Sequence, residues 1–129
     1  MKKVLVIEDD QIIRNLHSRI IEDMGYTVVF SANGPDGITQ AMREKPNLIV
    51  LDLGLPSPKQ GSVEFSGYSV LQWLKRSPAT NSIPVLVATA WPPKEAREKC
   101  IGLGAQAFLA KPIRPDDLRT TVRILMDDY

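Results

Sequence analysis

The stretch Leu48-Ile49-Val50-Leu51-Asp52 constrains this chain more than any other. An unbroken apolar run of this length reads as a strand buried on both faces, the pattern of a parallel sheet covered by helices on each side. The run stops on a carboxylate, and Leu53-Gly54-Leu55-Pro56 then turns the chain away. In open parallel α/β sheets, ligands sit outside the carboxyl ends of the strands. Asp52 is therefore where chemistry is expected, although Asp is also a common turn former. The remaining residues decide between the two.

Similar strands recur along the chain, each followed by a helix. Val4 to Ile7 reads as the first strand and runs into Glu8-Asp9-Asp10. Ile12, Ile13, Leu16, Ile20, Ile21 and Met24 then repeat at helical spacing, and Gly25 supplies a stop. Tyr26 to Phe30 is a short β-branched and aromatic strand. Asn33-Gly34-Pro35 opens a helix with Ile38, Ala41 and Met42 expected on its inner face. After the central strand, residues 56–67 show no usable periodicity and predict a long loop. Val70, Leu71 and Leu74 mark a helix ending by Ser77-Pro78, and Val85 to Ala88 is a further buried strand ending at Thr89. A helix from about Pro93 to Ile101 is expected to turn Ala96 and Cys100 inward, with Lys94, Glu95, Arg97, Glu98 and Lys99 on its solvated face. Ala107 to Ala110 is the last strand, ending at Lys111-Pro112. Pro115 starts the last helix, with Asp116 and Asp117 in its first turn and a stripe of Leu118, Val122 and Leu125. Such alternation predicts a doubly wound α/β domain on a parallel sheet.

At 129 residues the chain is expected to form one domain with a real core. Its 16 basic and 15 acidic residues leave a net charge of +1, which gives no overall attraction to nucleic acid or to an anionic membrane. The apolar run after Met1-Lys2-Lys3 is too short for a signal peptide and meets three acids, and no stretch approaches the length of a membrane span. The lone Cys100 excludes an internal disulfide, which suits a cytoplasmic setting.

Strand one ends in Glu8-Asp9-Asp10, strand three in Asp52, strand four in Thr89 and strand five in Lys111. A parallel sheet brings these ends to one edge. Carboxylates crowded together favour protonation unless a cation joins them. With no thiolate or imidazole set for zinc, a hard, oxygen-seeking Mg²⁺ suits the composition. Asp10 precedes a helix and is better read as its N-cap than as a ligand. His17, beside Leu16 on the first helix, reads as a surface or boundary residue rather than a catalyst.

Four fragments, Val4-Leu5-Val6-Ile7-Glu8-Asp9-Asp10, Leu51-Asp52-Leu53-Gly54-Leu55-Pro56, Val87-Ala88-Thr89-Ala90 and Phe108-Leu109-Ala110-Lys111-Pro112, each close a strand in this order. Together they resemble the receiver domains of two-component response regulators, and the likeness covers essentially the whole chain. The resemblance implies a flavodoxin-like (βα)5 fold with strand order 2-1-3-4-5. It implies that Asp52 accepts a phosphoryl group from a sensor histidine kinase or a histidine phosphotransfer protein. It further implies Mg²⁺ held by Glu8, Asp9, Asp52 and the carbonyl of Gly54. Lys111 and Thr89 then contact the phosphoryl group, and Phe108 follows by changing rotamer, so that the face of the fourth helix, fifth strand and fifth helix changes for a partner. The same resemblance implies a cis Lys111–Pro112 bond; from the even charge balance, no direct nucleic-acid or membrane binding is expected.

The chain departs from the family at one place. Receivers carry a glycine soon after the loop proline; here it is Gly67, leaving roughly seven additional residues in a loop whose extra closure cost is small. That insertion is either a tolerated surface loop or a partner-specific element. Trp91, two places after Thr89, and Gly54, two after Asp52, stand where receivers tune water access, and Trp91 is expected to shield the acyl phosphate. The chain ends at Asp127-Asp128-Tyr129, where the last helix should end, as in a stand-alone receiver or one cut from a longer regulator. A Mg²⁺-dependent aspartyl-phosphate phosphatase of the haloacid dehalogenase type requires Asp-x-Asp after strand one, and Glu8-Asp9-Asp10 lacks the first Asp. An FMN binder requires a Ser/Thr/Gly phosphate loop where this chain has acids. A receiver serving purely as an interaction module would have lost the acceptor, the acidic pair or the lysine, and all are present.

Overall fold

A computed structural model of the chain describes residues 2–54 and 67–127. The elements alternate as β1 (Lys3–Ile7), α1 (Gln11–Asp23), β2 (Thr27–Ser31), α2 (Gly34–Glu44), β3 (Leu48–Leu51), α3 (Gly67–Arg76), β4 (Val85–Thr89), α4 (Pro93–Gly102), β5 (Ala107–Ala110) and α5 (Pro115–Leu125). The strands form one parallel five-stranded sheet, as their alternation with helices predicts, in the order β2-β1-β3-β4-β5 that the family resemblance implies. Most of the loop expected over residues 53–67, and the whole insertion, lie outside the described residues.

Alternate residues of the central strands feed two separate cores. Leu5, Ile7, Ile49, Leu51, Val85 and Val87 pack with Ala41 of α2, Val70, Leu71 and Leu74 of α3, and Ala96 and Cys100 of α4. Val4, Val6, Leu48, Val50, Leu86 and Ala88 point the other way, onto Ile20 and Ile21 of α1 and Leu118 and Val122 of α5. Each such side chain taken fully out of water contributes about 1.5–3 kcal/mol against chain entropy. The apolar run at β3 thus reflects burial on both sides.

Helix punctuation follows local chemistry. The Asp10 carboxylate accepts from the backbone N–H groups of Ile12 and Ile13 at 2.9 and 3.1 Å, capping α1 as expected. Asn33 caps α2 through Asp36 N–H, and Gly25 takes a φ of +97° beyond α1. The Lys111–Pro112 bond is cis.

Three expectations need correction. Ile12 is 81 % exposed and Leu16 53 %. The stripe α1 turns inward runs through Ile13, His17, Ile20, Ile21 and Met24, with Ile12 and Leu16 one residue, about 100°, off it. His17 is accordingly buried, not a surface residue. On α2, Met42 faces solvent, while Ile38 and Ala41 turn inward as expected and Gly34 and Gly37 join them. At Gly37 a Cβ would stand 2.7 Å from the Ile7 side chain, so the helix lies close on β1 where hydrophobicity alone shows no signal.

Candidate functional site

Strand register assembles the site. Ile7 is paired with Leu51, and Leu51 with Val87, so the carboxyl ends of β1, β3 and β4 lie along one edge of the sheet, with Thr89 the last residue of β4. The Asp52 N–H donates to the Ile7 carbonyl at 3.0 Å, Glu8 N–H to Ser31 at 2.9 Å, and Lys111 N–H to Thr89 at 2.9 Å. The main chain alone therefore brings Glu8, Asp52, Thr89 and Lys111 together, before any side chain interacts.

The side chains line a cleft of about 250 Å³ with Asp9, Gly54 and Trp91. Glu8, Asp9 and Asp52 offer carboxylate oxygens that all lie within 4.8 Å of one another; Glu8 and Asp52 are buried and Asp9 faces solvent. Lys111 Nζ lies between two of them, bonded to Glu8 Oε1 and 3.4 Å from Asp52 Oδ2. Asp52 Oδ1 also accepts from the Gly54 N–H at 3.1 Å. Burial, reinforced by the hydrogen-bonded Asp52, pushes the Glu8 carboxyl up to about 7, against the lowering influence of Lys111. One lysine does not balance these acids. The pocket fits a hard divalent cation because it offers clustered oxygen donors and retains excess negative charge.

Thr89 is fully buried, and its Oγ1 accepts from the Trp91 N–H at 3.2 Å. Trp91 Nε1 and both Asp52 carboxylate oxygens lie within 4 Å of the point where a Cβ would stand on Gly54. Any larger residue at 54 would project between them. Phe108 stands apart from the cleft: it is buried in the core on β5, opposite Val87, with the Arg97 guanidinium 5.7 Å from its ring centroid.

Two features escaped the sequence. Lys111 bridges Glu8 and Asp52 within the site itself, whereas the family resemblance implied only a contact to the phosphoryl group. Tyr68, whose ring packs edge-on against Trp91 at 5.2 Å, follows an aperiodic segment and carried no signal.

A doubly wound sheet with three acids and a lysine at its carboxyl edge has the build of a signalling receiver domain. Residues 4–123 match the response regulator receiver domain family, and the chain belongs to it. It is 31% identical over 127 residues to the polar-differentiation response regulator DivK of Brucella anthropi, covering 98% of each chain. Among solved structures it resembles a Chloroflexus aurantiacus protein described as a response regulator (25% identity, TM-score 0.88, 98% of each chain covered). It also resembles the chemotaxis protein CheY4 of Vibrio cholerae (26% identity, TM-score 0.84, 97% of this chain and 98% of that one). The chain is thus a response regulator receiver domain of two-component signalling, and no helix among the described residues is long and apolar enough to cross a membrane.

Proposed function

We propose that the protein is a phosphorylation-activated switch in which Asp52 accepts a phosphoryl group from a phosphohistidine of a sensor histidine kinase or a histidine phosphotransfer protein. The observation that carries this reading is the Glu8–Asp9–Asp52 cluster with Lys111 paired to Glu8 and Asp52. An Asp52 oxygen attacks phosphorus as the P–N bond breaks, and its electron pair returns to the imidazole, which leaves neutral when its other nitrogen carries a proton. Glu8, Asp9, Asp52 and the Gly54 carbonyl are the ligands we assign to Mg²⁺. When bound, the cation neutralises charge on acceptor and phosphoryl oxygens. Lys111 exchanges its carboxylate partners for a phosphoryl oxygen, as a flexible point charge can. Thr89 Oγ1 donates to another oxygen, and Phe108 moves with it, changing the α4-β5-α5 face for a downstream protein. The Trp91 indole screens the acyl phosphate from water. We take the whole as one receiver domain working in the cytoplasm, without direct nucleic-acid or membrane contact.

Incubation with Mg²⁺ and acetyl phosphate tests this reading by intact mass. One added phosphate in the wild type and none in Asp52→Asn is the expected outcome. Absence of incorporation overturns the switch and leaves an interaction module. Steady donor turnover with release of phosphate overturns it in favour of a phosphatase.

A further inference from the structure

The Trp91 indole is not held by its own loop alone. Gly67, the first residue of α3, donates its N–H to the Leu53 carbonyl at 3.2 Å. A Cβ there would meet the Leu53 backbone at 2.2 Å. This contact sets the start of α3 against the residue that follows Asp52, and Tyr68 comes next. Its ring meets the Trp91 indole at 5.2 Å and 65°, an edge-to-face contact of the favourable kind. Lys99 Nζ, from the exposed side of α4, sits 4.3 Å from the Tyr68 ring centroid. Burial raises the pKa of the Tyr68 hydroxyl, with Cys100 and Glu95 adding to it, in keeping with a ring set against α4. A continuous chain of contacts therefore runs from solvent at Lys99, through Tyr68 and Trp91, to the space above Gly54 and Asp52.

We propose that Tyr68 and Lys99 are positioning residues that hold the Trp91 indole across the mouth of the cleft, and so set how long a phosphoryl group survives on Asp52. The inference rests on the phosphoacceptor reading above. The step it controls is hydrolysis: a water oxygen attacks phosphorus, the acyl O–P bond breaks, its electron pair returns to the Asp52 carboxylate, and inorganic phosphate leaves with the proton of water. Neither residue touches the reacting atoms. Their effect passes through the indole, whose freedom to swing aside decides whether a water can line up opposite the Asp52 oxygen. Because Lys99 lies on α4, the lifetime is tied to the position of that helix.

The test uses the full chain with Trp73→Phe, which leaves Trp91 the sole indole of the two in the sequence. Protein loaded with acetyl phosphate and Mg²⁺ is freed of donor, and decay of the phosphorylated mass is followed beside Trp91 fluorescence. Tyr68→Ala and Lys99→Gln are expected to decay ~2- to 5-fold faster, the size set by contacts of this strength, with indole emission shifted to the red. Tyr68→Phe keeps the ring and is expected to decay like its parent. Tyr68→Ala placed on Trp91→Ala is expected to add nothing. Lys99 is exposed, so its substitution keeps the test open should Tyr68→Ala fold poorly. The inference is overturned if Trp91→Ala accelerates decay while Lys99→Gln and Tyr68→Ala do not, or if Tyr68→Ala accelerates equally without the indole. Unchanged decay in Trp91→Ala overturns the shield and the inference together. A wild type that takes up no phosphate overturns the receiver chemistry instead, a distinguishable failure.

Discussion

Glu8 bears the electrostatic conflict of the site. It is 3 % exposed and hydrogen-bonded to another acid as well as to Lys111. Its pKa is about 7 in the folded chain against an ordinary 4.5. The folded state therefore binds more protons between these values, and stability falls as pH rises through that window. Below the lower value the contribution is fully present; above the higher it is lost. Glu8→Gln removes this dependence, since an amide both accepts from Lys111 and donates to Asp52. Without divalent cation, the variant should match or exceed wild-type stability, by an amount that grows to at most about 3 kcal/mol as pH rises from about 5 to 8. Urea unfolding at both ends of the range measures it, and a constant difference refutes the assignment of the shift to Glu8. His17, whose pKa burial and then Lys111 lower, has the opposite slope on the acid side, but it is present in both proteins and cancels. The same substitution should weaken Mg²⁺ binding, because the charge that destabilises the free protein is what the cation needs.

At the scale of elements, the sharpest demand falls on the start of α3. A methyl group on Gly67 has only the Leu53 backbone to displace, and backbone next to Asp52 cannot yield cheaply. Gly67→Ala should cost about 2–3 kcal/mol and slow phosphorylation of Asp52; a thermal midpoint and rate equal to wild type would show that the contact relaxes freely. Asp10→Ala, by contrast, should cost about 1 kcal/mol, the ordinary value of a helix cap, with the rate of phosphorylation little changed. The strands were legible because burial on both faces writes an apolar run, and the strand ends because charge begins there abruptly. The errors came where burial is not hydrophobic. Gly37 brings α2 close to β1 through having no side chain, and His17 lies in the buried stripe of α1 despite its polarity, so counting apolar side chains moved the inner faces to Met42 and Leu16. The site acids, Thr89 and Lys111 were legible as strand-end residues in sequence order. Tyr68 was not, since its contact with Trp91 depends on where a long, aperiodic connection returns.

Across the whole molecule, the proposed switch must carry a local change at Asp52 to a distant face, and we propose Thr89 as the joint through which it leaves. Its hydroxyl accepts from the Trp91 N–H, at the loop entering α4. Its strand lies beside β5, where Phe108 pairs with Val87 and meets Arg97 of α4. In the proposed switch, a phosphoryl oxygen that draws the hydroxyl inward takes it from the Trp91 N–H, so the loop entering α4 is the first element perturbed. Thr89→Val keeps the volume and removes the hydroxyl, at about 1 kcal/mol for the lost acceptor. The variant should still be phosphorylated on Asp52, because acceptor, acids and Lys111 are intact. Hydrogen exchange should then separate the two functions: phosphorylation changes protection across α4 and β5 in the wild type and leaves it unaltered in Thr89→Val. If the variant shows the full change, the signal leaves the site by a route other than the Thr89 hydroxyl.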